Sequence, residues 1–330
     1  LEKYPQFRCE SKITDVKIPI SPSDLQAARE RITGTIHRTP ILHSTAIDEM
    51  VGASVYFKCE NFQKVGAFKA RGALNTVLSL PQKVARNGVA THSSGNHGQA
   101  VAWAAAQRGI KAFVVMPENA PEVKKKAVAG YGAKIILCES TLEGRERALE
   151  KVCKETGAHF IHPYNDDRVI AGQASCAAEF YEDQNLDALL VPVGGGGLLS
   201  GSLLTTDYAE KETDVYGCEP EMADDAFRSL RAGKIIPQTN PQTIADGLRT
   251  SLGDRTFPII HTLVKDIITC SESEIMSAMR IIYERLKIVI EPSCAVPLAS
   301  LLNGSIPKQY DRIGIIITGG NVDLNKLPFS

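Results

Sequence analysis

The sequence predicts an α/β fold with largely parallel sheets. Three observations carry that prediction: short β-rich runs recur along the chain, helical patterns lie between them, and four consecutive glycines stand where one buried run gives way to a helix. The β-rich runs are Val55–Cys59, Val89–His92, Ala112–Met116, Lys134–Cys138, Phe160–His162, Leu189–Val193, Val215–Cys218 and Ile313–Thr318. Between them, Ala100–Arg108 is alanine-rich and Glu143–Glu155 is charged and amphipathic. Ser271–Leu286 repeats apolar residues at helical spacing behind a capping box of Ser271 and Glu274. No repeat, low-complexity tract or long linker interrupts the chain, so a second lobe is expected to be inserted within the first.

Composition excludes several classes of partner. At 330 residues and 43% hydrophobic content the chain has ample material for two lobes. Its 37 basic and 38 acidic residues leave a net charge of −1, without the basic block that nucleic acid or a membrane surface would select. Small molecules are the expected partners. Eight cysteines (9, 59, 138, 153, 176, 218, 270 and 294) contain no C-x-x-C pair, which argues against zinc and against a disulfide framework and predicts reduced, mostly buried thiols. Leu1–Ile20 is polar and mixed in charge rather than a signal peptide, and no later stretch approaches a membrane span, so a cytoplasmic location is expected.

Gly194, Gly195, Gly196 and Gly197 follow the apolar run Ala188–Val193 and precede Leu198-Leu-Ser-Gly, which reads as strand, bare-backbone turn and helix start. Without Cβ atoms, successive N–H groups can turn inward on an anion, and the helix beginning near Leu198 adds its partial positive charge. The alternative is a flexible surface turn. A dinucleotide fingerprint fails at its third glycine, since Gly195 and Gly197 are followed by Ser200, and no G-K-[ST] follows either. The phosphate is therefore expected to belong to a smaller cofactor.

Three further segments at strand ends or helix starts carry candidate chemistry: Gly66–Gly72, Ser93–Gly98 and Thr318–Asn321. Lys69 lies between Phe68 and Ala70, where desolvation would lower its pKa and leave an amine able to form a Schiff base, although a lone lysine is usually a surface charge. Ser93, Ser94, Asn96 and His97 place hydroxyls, an amide and N–H groups at the start of a helix, a receptor for a carboxylate or simply an N-cap. Thr318 ends an apolar strand, where its neutral hydroxyl could meet a ring nitrogen or make a local turn bond.

These segments, "KCENFQKVGAFKARGA", "THSSGNHGQA", "PVGGGGLLSG", "IADG" and "TGGNVD", occur in the order and approximate spacing of one group. From about Ser21 to Asp323 the chain resembles a fold-type II pyridoxal-phosphate enzyme of the serine racemase and serine/threonine dehydratase group. The resemblance implies the tryptophan synthase β-like fold, with two open twisted, mainly parallel sheets and flanking helices. Residues 1–87 and 166–330 would form a large cofactor-binding domain, and residues 88–165 a small mobile one that closes on substrate. It implies that Lys69 carries pyridoxal 5'-phosphate covalently, that Gly194–Gly197 and Leu198 hold the phosphate, and that Asn96 bonds the ring hydroxyl. Phe68 would lie against the ring, Gly247 of "IADG" would contribute to the cofactor site, and Thr318 would face the pyridine nitrogen, where many relatives have serine.

By the same resemblance Lys69 moves a proton at Cα on one face and Ser94 serves the opposite face, as racemisation requires. Elimination of the β-hydroxyl would convert serine to pyruvate and ammonia. Ser93, Asn96 and His97 would bind the substrate carboxylate, joined by Arg145 when the small domain closes.

A loop from Cys218 to Ala226 offers Glu219, Asp225 and a backbone carbonyl to Mg²⁺ or Ca²⁺, or is a run of solvated acids. The group's pattern makes Glu219, Asp225 and the Ala223 carbonyl metal ligands, with Mn²⁺ a further candidate. It also matches Lys64, Gln99, Tyr131 and Asn321 to positions that bind ATP at a dimer interface. A homodimer with racemase and dehydratase activity follows. A dehydratase for serine, threonine or 3-hydroxyaspartate with little racemisation is the near alternative, and a non-catalytic cofactor- or nucleotide-binding protein is the distant one. Tyr164 stands where some relatives have asparagine, and the serine cluster of aspartate-preferring relatives is absent from His162–Val169.

Overall fold

Apolar, β-branched runs without polar alternation need cover on both faces. In a computed structural model that describes residues 18–329, the central strands have it, while the edge strand Lys134–Cys138 leaves Leu137 exposed. A six-stranded sheet has the order β1 (Ile41–His43), β2 (Ser54–Cys59), β10 (Arg312–Ile317), β7 (Ala188–Pro192), β8 (Asp214–Pro220) and β9 (Asp266–Cys270). Only β1 runs antiparallel, at one edge. A four-stranded parallel sheet has the order β5 (Lys134–Cys138), β4 (Ala112–Pro117), β3 (Val89–His92) and β6 (His159–Phe160). Its strands all come from the stretch between β2 and β7, so the chain leaves the first sheet, builds the second and returns.

Every predicted strand is present. Phe160–His162 shortens to His159–Phe160, because Pro163 has no N–H to pair and the His162 ring is drawn into the following turn. The three-residue β1 and the mixed-polarity β9 escape the sequence pattern. The alanine-rich helix starts earlier than its apolar pattern, at Asn96, and the Ser271 capping box forms as predicted. The seven described cysteines are free, and all but Cys153 are buried; Cys9 lies outside the described residues.

Lys69 opens the helix Lys69–Ser79, which packs on the helix Asp167–Asp183 across two glycines. A Cβ on Gly172 would stand 2.6 Å from the Gly72 Cα and 2.8 Å from the Arg71 carbonyl. The close approach brings together four buried charges. Arg71 donates from Nε and Nη2 to Glu60 at 2.7 and 2.8 Å, and from Nη1 and Nη2 to Glu179 at 2.8 Å each. Lys58 donates to Glu179 at 2.8 Å and to the Thr39 carbonyl at 2.9 Å. Against a burial that would raise it, Arg71 and Lys58 hold the Glu179 carboxyl down to about 2.

Replacing Gly172 by alanine forces the two helices apart at backbone. Its thermal unfolding, followed by calorimetry, is expected to show a loss of about 2 kcal/mol or more.

Candidate active site

The strand ends converge on Lys69. The Phe68 amide donates to the Thr318 carbonyl at 3.0 Å and Ala67 bridges Gly319, so the lysine turn is stitched to the end of β10. The Lys69 amine lies 4.9 Å from the Phe68 ring centroid and donates to the Pro163 carbonyl at 2.9 Å. Burial draws its pKa down to about 8, against the opposing pull of the Glu291 carboxylate.

The four glycines are buried between β7 and the helix Gly197–Tyr208, and Gly196 has φ 85°, a conformation that favours glycine. Added Cβ atoms would meet the Gly247 carbonyl at 3.0 Å from Gly194, the Tyr164 ring at 2.1 Å from Gly195 and Ile260 at 2.7 Å from Gly196. Tyr164 also covers Gly197, and its hydroxyl lies 3.0 Å from the Thr250 hydroxyl. The first turn of the helix leaves N–H groups for an anion.

At the start of the helix Asn96–Arg108, the Ser93 hydroxyl accepts from the Gly95 amide at 3.2 Å and Ser94 is partly exposed. The Asn96 amide donates to both Glu291 oxygens at 3.0 Å, and its oxygen accepts from Asn321 at 2.8 Å. His97 is buried, with Nε2 3.1 Å from the Ile161 carbonyl and Nδ1 unpartnered. Burial, then the Lys69 charge, holds this ring well below the usual histidine range. A neutral ring with Nε2–H on that carbonyl leaves a buried lone pair at Nδ1, so it is the backbone N–H that can face a substrate carboxylate.

Arg145 sits in the helix Leu142–Thr156 with Nε on the Thr141 carbonyl at 3.3 Å, and no ion pair holds it among the described residues. Thr318 is buried, its hydroxyl 3.2 Å from the Cys294 thiol. The Gly247 amide donates to the Ser293 hydroxyl at 3.2 Å.

Sequence reasoning missed the segment Glu291–Cys294, three of whose side chains touch Asn96, Gly247 and Thr318. Its one visible signal is an acid ending the apolar run Ile288–Ile290 before a proline. Burial pushes the Glu291 carboxyl up to about 7.

The chain matches the pyridoxal-phosphate dependent enzyme family model over residues 32–319. It belongs to that family. A β-hydroxyaspartate dehydratase of Paracoccus denitrificans is 51% identical over 93% of this chain and 98% of its own length. A serine racemase of Dictyostelium discoideum is 46% identical over 93% and 97%. The solved structure of maize serine racemase superposes with a TM-score of 0.90 at 45% identity, covering 92% of this chain and 94% of that one. The family implies pyridoxal phosphate, and the residues fit it: a desolvated amine, a glycine cradle that side chains would fill and a neutral hydroxyl at Thr318.

Away from that centre, Glu219 on β8 accepts the Ala226 and Phe227 amides at 3.1 and 2.8 Å. Asp225 accepts the Leu252 amide at 3.1 Å through Oδ2, while its buried Oδ1 has no partner. Burial and then Asp225 push Glu219 well above the usual carboxylate range, and burial raises Asp225 to about 7. Ala223 is buried in the intervening turn. Among the described residues no cluster of three or more histidine, cysteine or acidic side chains forms a metal site, so a cation here would need the backbone carbonyl as well. The four residues matched to ATP positions divide. Gln99 is buried, Lys64 and Tyr131 are partly exposed, and Asn321 turns inward to Asn96 and the Val65 carbonyl, the latter at 2.8 Å.

A carboxyl whose folded pKa is raised gives stability that is full below its unfolded value and lost as pH rises through the folded value. In the metal-free chain the Asp225 contribution therefore falls between about pH 4 and pH 7. Asp225→Asn is expected to remove that fall, so the difference in melting temperature between variant and unaltered chain grows over this range and levels above it.

Proposed function

We propose that this enzyme interconverts L- and D-serine and also eliminates water from serine to give pyruvate and ammonia. The observation that carries the reading is the pairing of Lys69, an amine already desolvated for proton transfer, with a serine at position 94, in a chain 46% identical to a serine racemase. Bound at Lys69, pyridoxal phosphate supplies the electron sink for charge developing at the substrate Cα.

The protein's residues do the rest. Gly194–Gly197 and Leu198 hold the phosphate through their N–H groups, with Gly247 walling the cradle, Phe68 lying against the ring and Asn96 bonding its hydroxyl. Thr318 gives the ring nitrogen a neutral partner. The N–H groups and hydroxyls at Ser93, Asn96 and His97 hold the substrate carboxylate. Arg145 joins them as residues 88–165 close toward the larger unit of residues 1–87 and 166–330. Lys69 moves the proton on one face of Cα and Ser94 on the other.

The same reading includes a homodimer, a cytoplasmic location and a divalent cation, Mg²⁺ or else Ca²⁺ or Mn²⁺, at Glu219, Asp225 and the Ala223 carbonyl. The unpartnered Asp225 oxygen supports the cation. It also includes ATP at Lys64, Gln99, Tyr131 and Asn321, where the Asn321 amide would have to leave the Val65 carbonyl and the Asn96 oxygen that it now bonds. A second reading, dehydration of 3-hydroxyaspartate, is favoured by the 51% identity to the Paracoccus enzyme.

Incubation of the purified protein with L-serine is expected to yield D-serine beside pyruvate; pyruvate alone would transfer the assignment to a dehydratase. Ser94→Ala is expected to lower D-serine formation about 100-fold or more while pyruvate formation persists. Asp225→Ala is expected to abolish stimulation by Mg²⁺, measured as pyruvate release with and without the ion.

A further inference from the structure

The Lys69 amine has a built acceptor, the Pro163 carbonyl at 2.9 Å, and that carbonyl belongs to a turn with an unusual fastening. His162 Nδ1 accepts the amides of both Tyr164, at 3.3 Å, and Asn165, at 2.9 Å. A ring nitrogen accepting two N–H groups carries no proton, so the neutral ring holds its hydrogen on Nε2. Burial, then the charges of His92 and Lys69, lowers this imidazole to about 4, with Asp166 and Asp254 opposing, so the ring stays an acceptor at neutral pH.

The far side of the turn is tied to another loop. Asn165 donates to Asp254 at 2.6 Å and accepts the Arg255 amide at 2.9 Å, while the Arg255 guanidinium pairs with Asp167 at 2.6 Å. The carbonyl thus stands between two anchors, and His162 is the one beside it in the chain.

We propose that His162 is a positioning residue: its unprotonated Nδ1 folds the turn after Pro163 so that the Pro163 carbonyl receives the Lys69 amine whenever that amine is not bonded to the cofactor. The inference rests on the reading of Lys69 as carrier and base. A carbonyl acceptor favours the ammonium form, so the proton taken by Lys69 has a fixed place to wait before its return. The other titratable groups facing the lysine are Glu291, which also favours the charged form, and the neutral ring of His97.

The test is competitive acetylation of the cofactor-free full chain with acetic anhydride from pH 6 to 10, read at Lys69 by mass spectrometry. His162→Leu removes the acceptor, and Lys69 reactivity at pH 7 is expected to rise about fivefold, which is what a fall of one unit from about 8 gives at that pH. In His162→Asn the side-chain oxygen can accept the same amides, and reactivity is expected to return to within about twofold of the unaltered chain. An unchanged Lys69 profile in His162→Leu would overturn the proposal. In the unaltered chain, ¹⁵N NMR of the His162 ring is expected to show the Nε2–H tautomer, and the Nδ1–H tautomer at pH 7 would overturn it as well. Neither readout needs turnover. A cofactor found on another residue would therefore refute the carrier role while these measurements still judged the turn.

Discussion

Arg71 is the fixed point of this structure. Its guanidinium has no exposed surface and spends its donors on Glu60, from the turn after β2, and on Glu179 and Ser175, from the helix Asp167–Asp183. Two positions before it in the chain stands Lys69, so whatever sets the rotation and height of this helix also aims the amine. Breaking such a buried pair leaves an uncompensated charge and costs about 3–5 kcal/mol. The close approach at Gly72 and Gly172 is what allows Arg71 to reach both partners, and Lys58 brings the four charges to neutrality.

Around that anchor the candidate site is an arrangement of groups kept from their ordinary protonation states by burial. The amine of Lys69 is drawn down, the Glu291 carboxyl is pushed up, and the rings of His97 and His162 are held neutral. Each stays because backbone or amide partners fix its geometry: a carbonyl for Lys69, Asn96 for Glu291, a carbonyl for His97 and two amides for His162. Desolvation supplies reactivity and hydrogen bonds supply position. The carboxyls of Glu219 and Asp225 follow the first rule without the second being complete, since one Asp225 oxygen lacks a partner.

The parts of this picture that were legible in the sequence are those with a strong local signature. Four glycines after a buried strand, a capping box at Ser271 and uninterrupted β-branched runs each carry a strong local signal, and the structure contains a buried glycine turn, the cap and the strands. Short or half-polar elements such as β1 and β9 lack a period long enough to register. Glu291 was invisible for a different reason. Its meaning comes from Asn96, 195 positions away, and from the glycines beside it, a juxtaposition made only by the return of the chain to the first sheet. The turn after His162 is similar: a histidine accepting two amides looks in sequence like any histidine before a proline.

Every role proposed at this site depends on Lys69 as the covalent carrier. Protein reconstituted with pyridoxal phosphate, reduced with borohydride, digested and mapped by mass spectrometry tests that directly. The reduced adduct is expected on Lys69 and on no other residue; an adduct on a different amine, or none after reconstitution, would contradict that role.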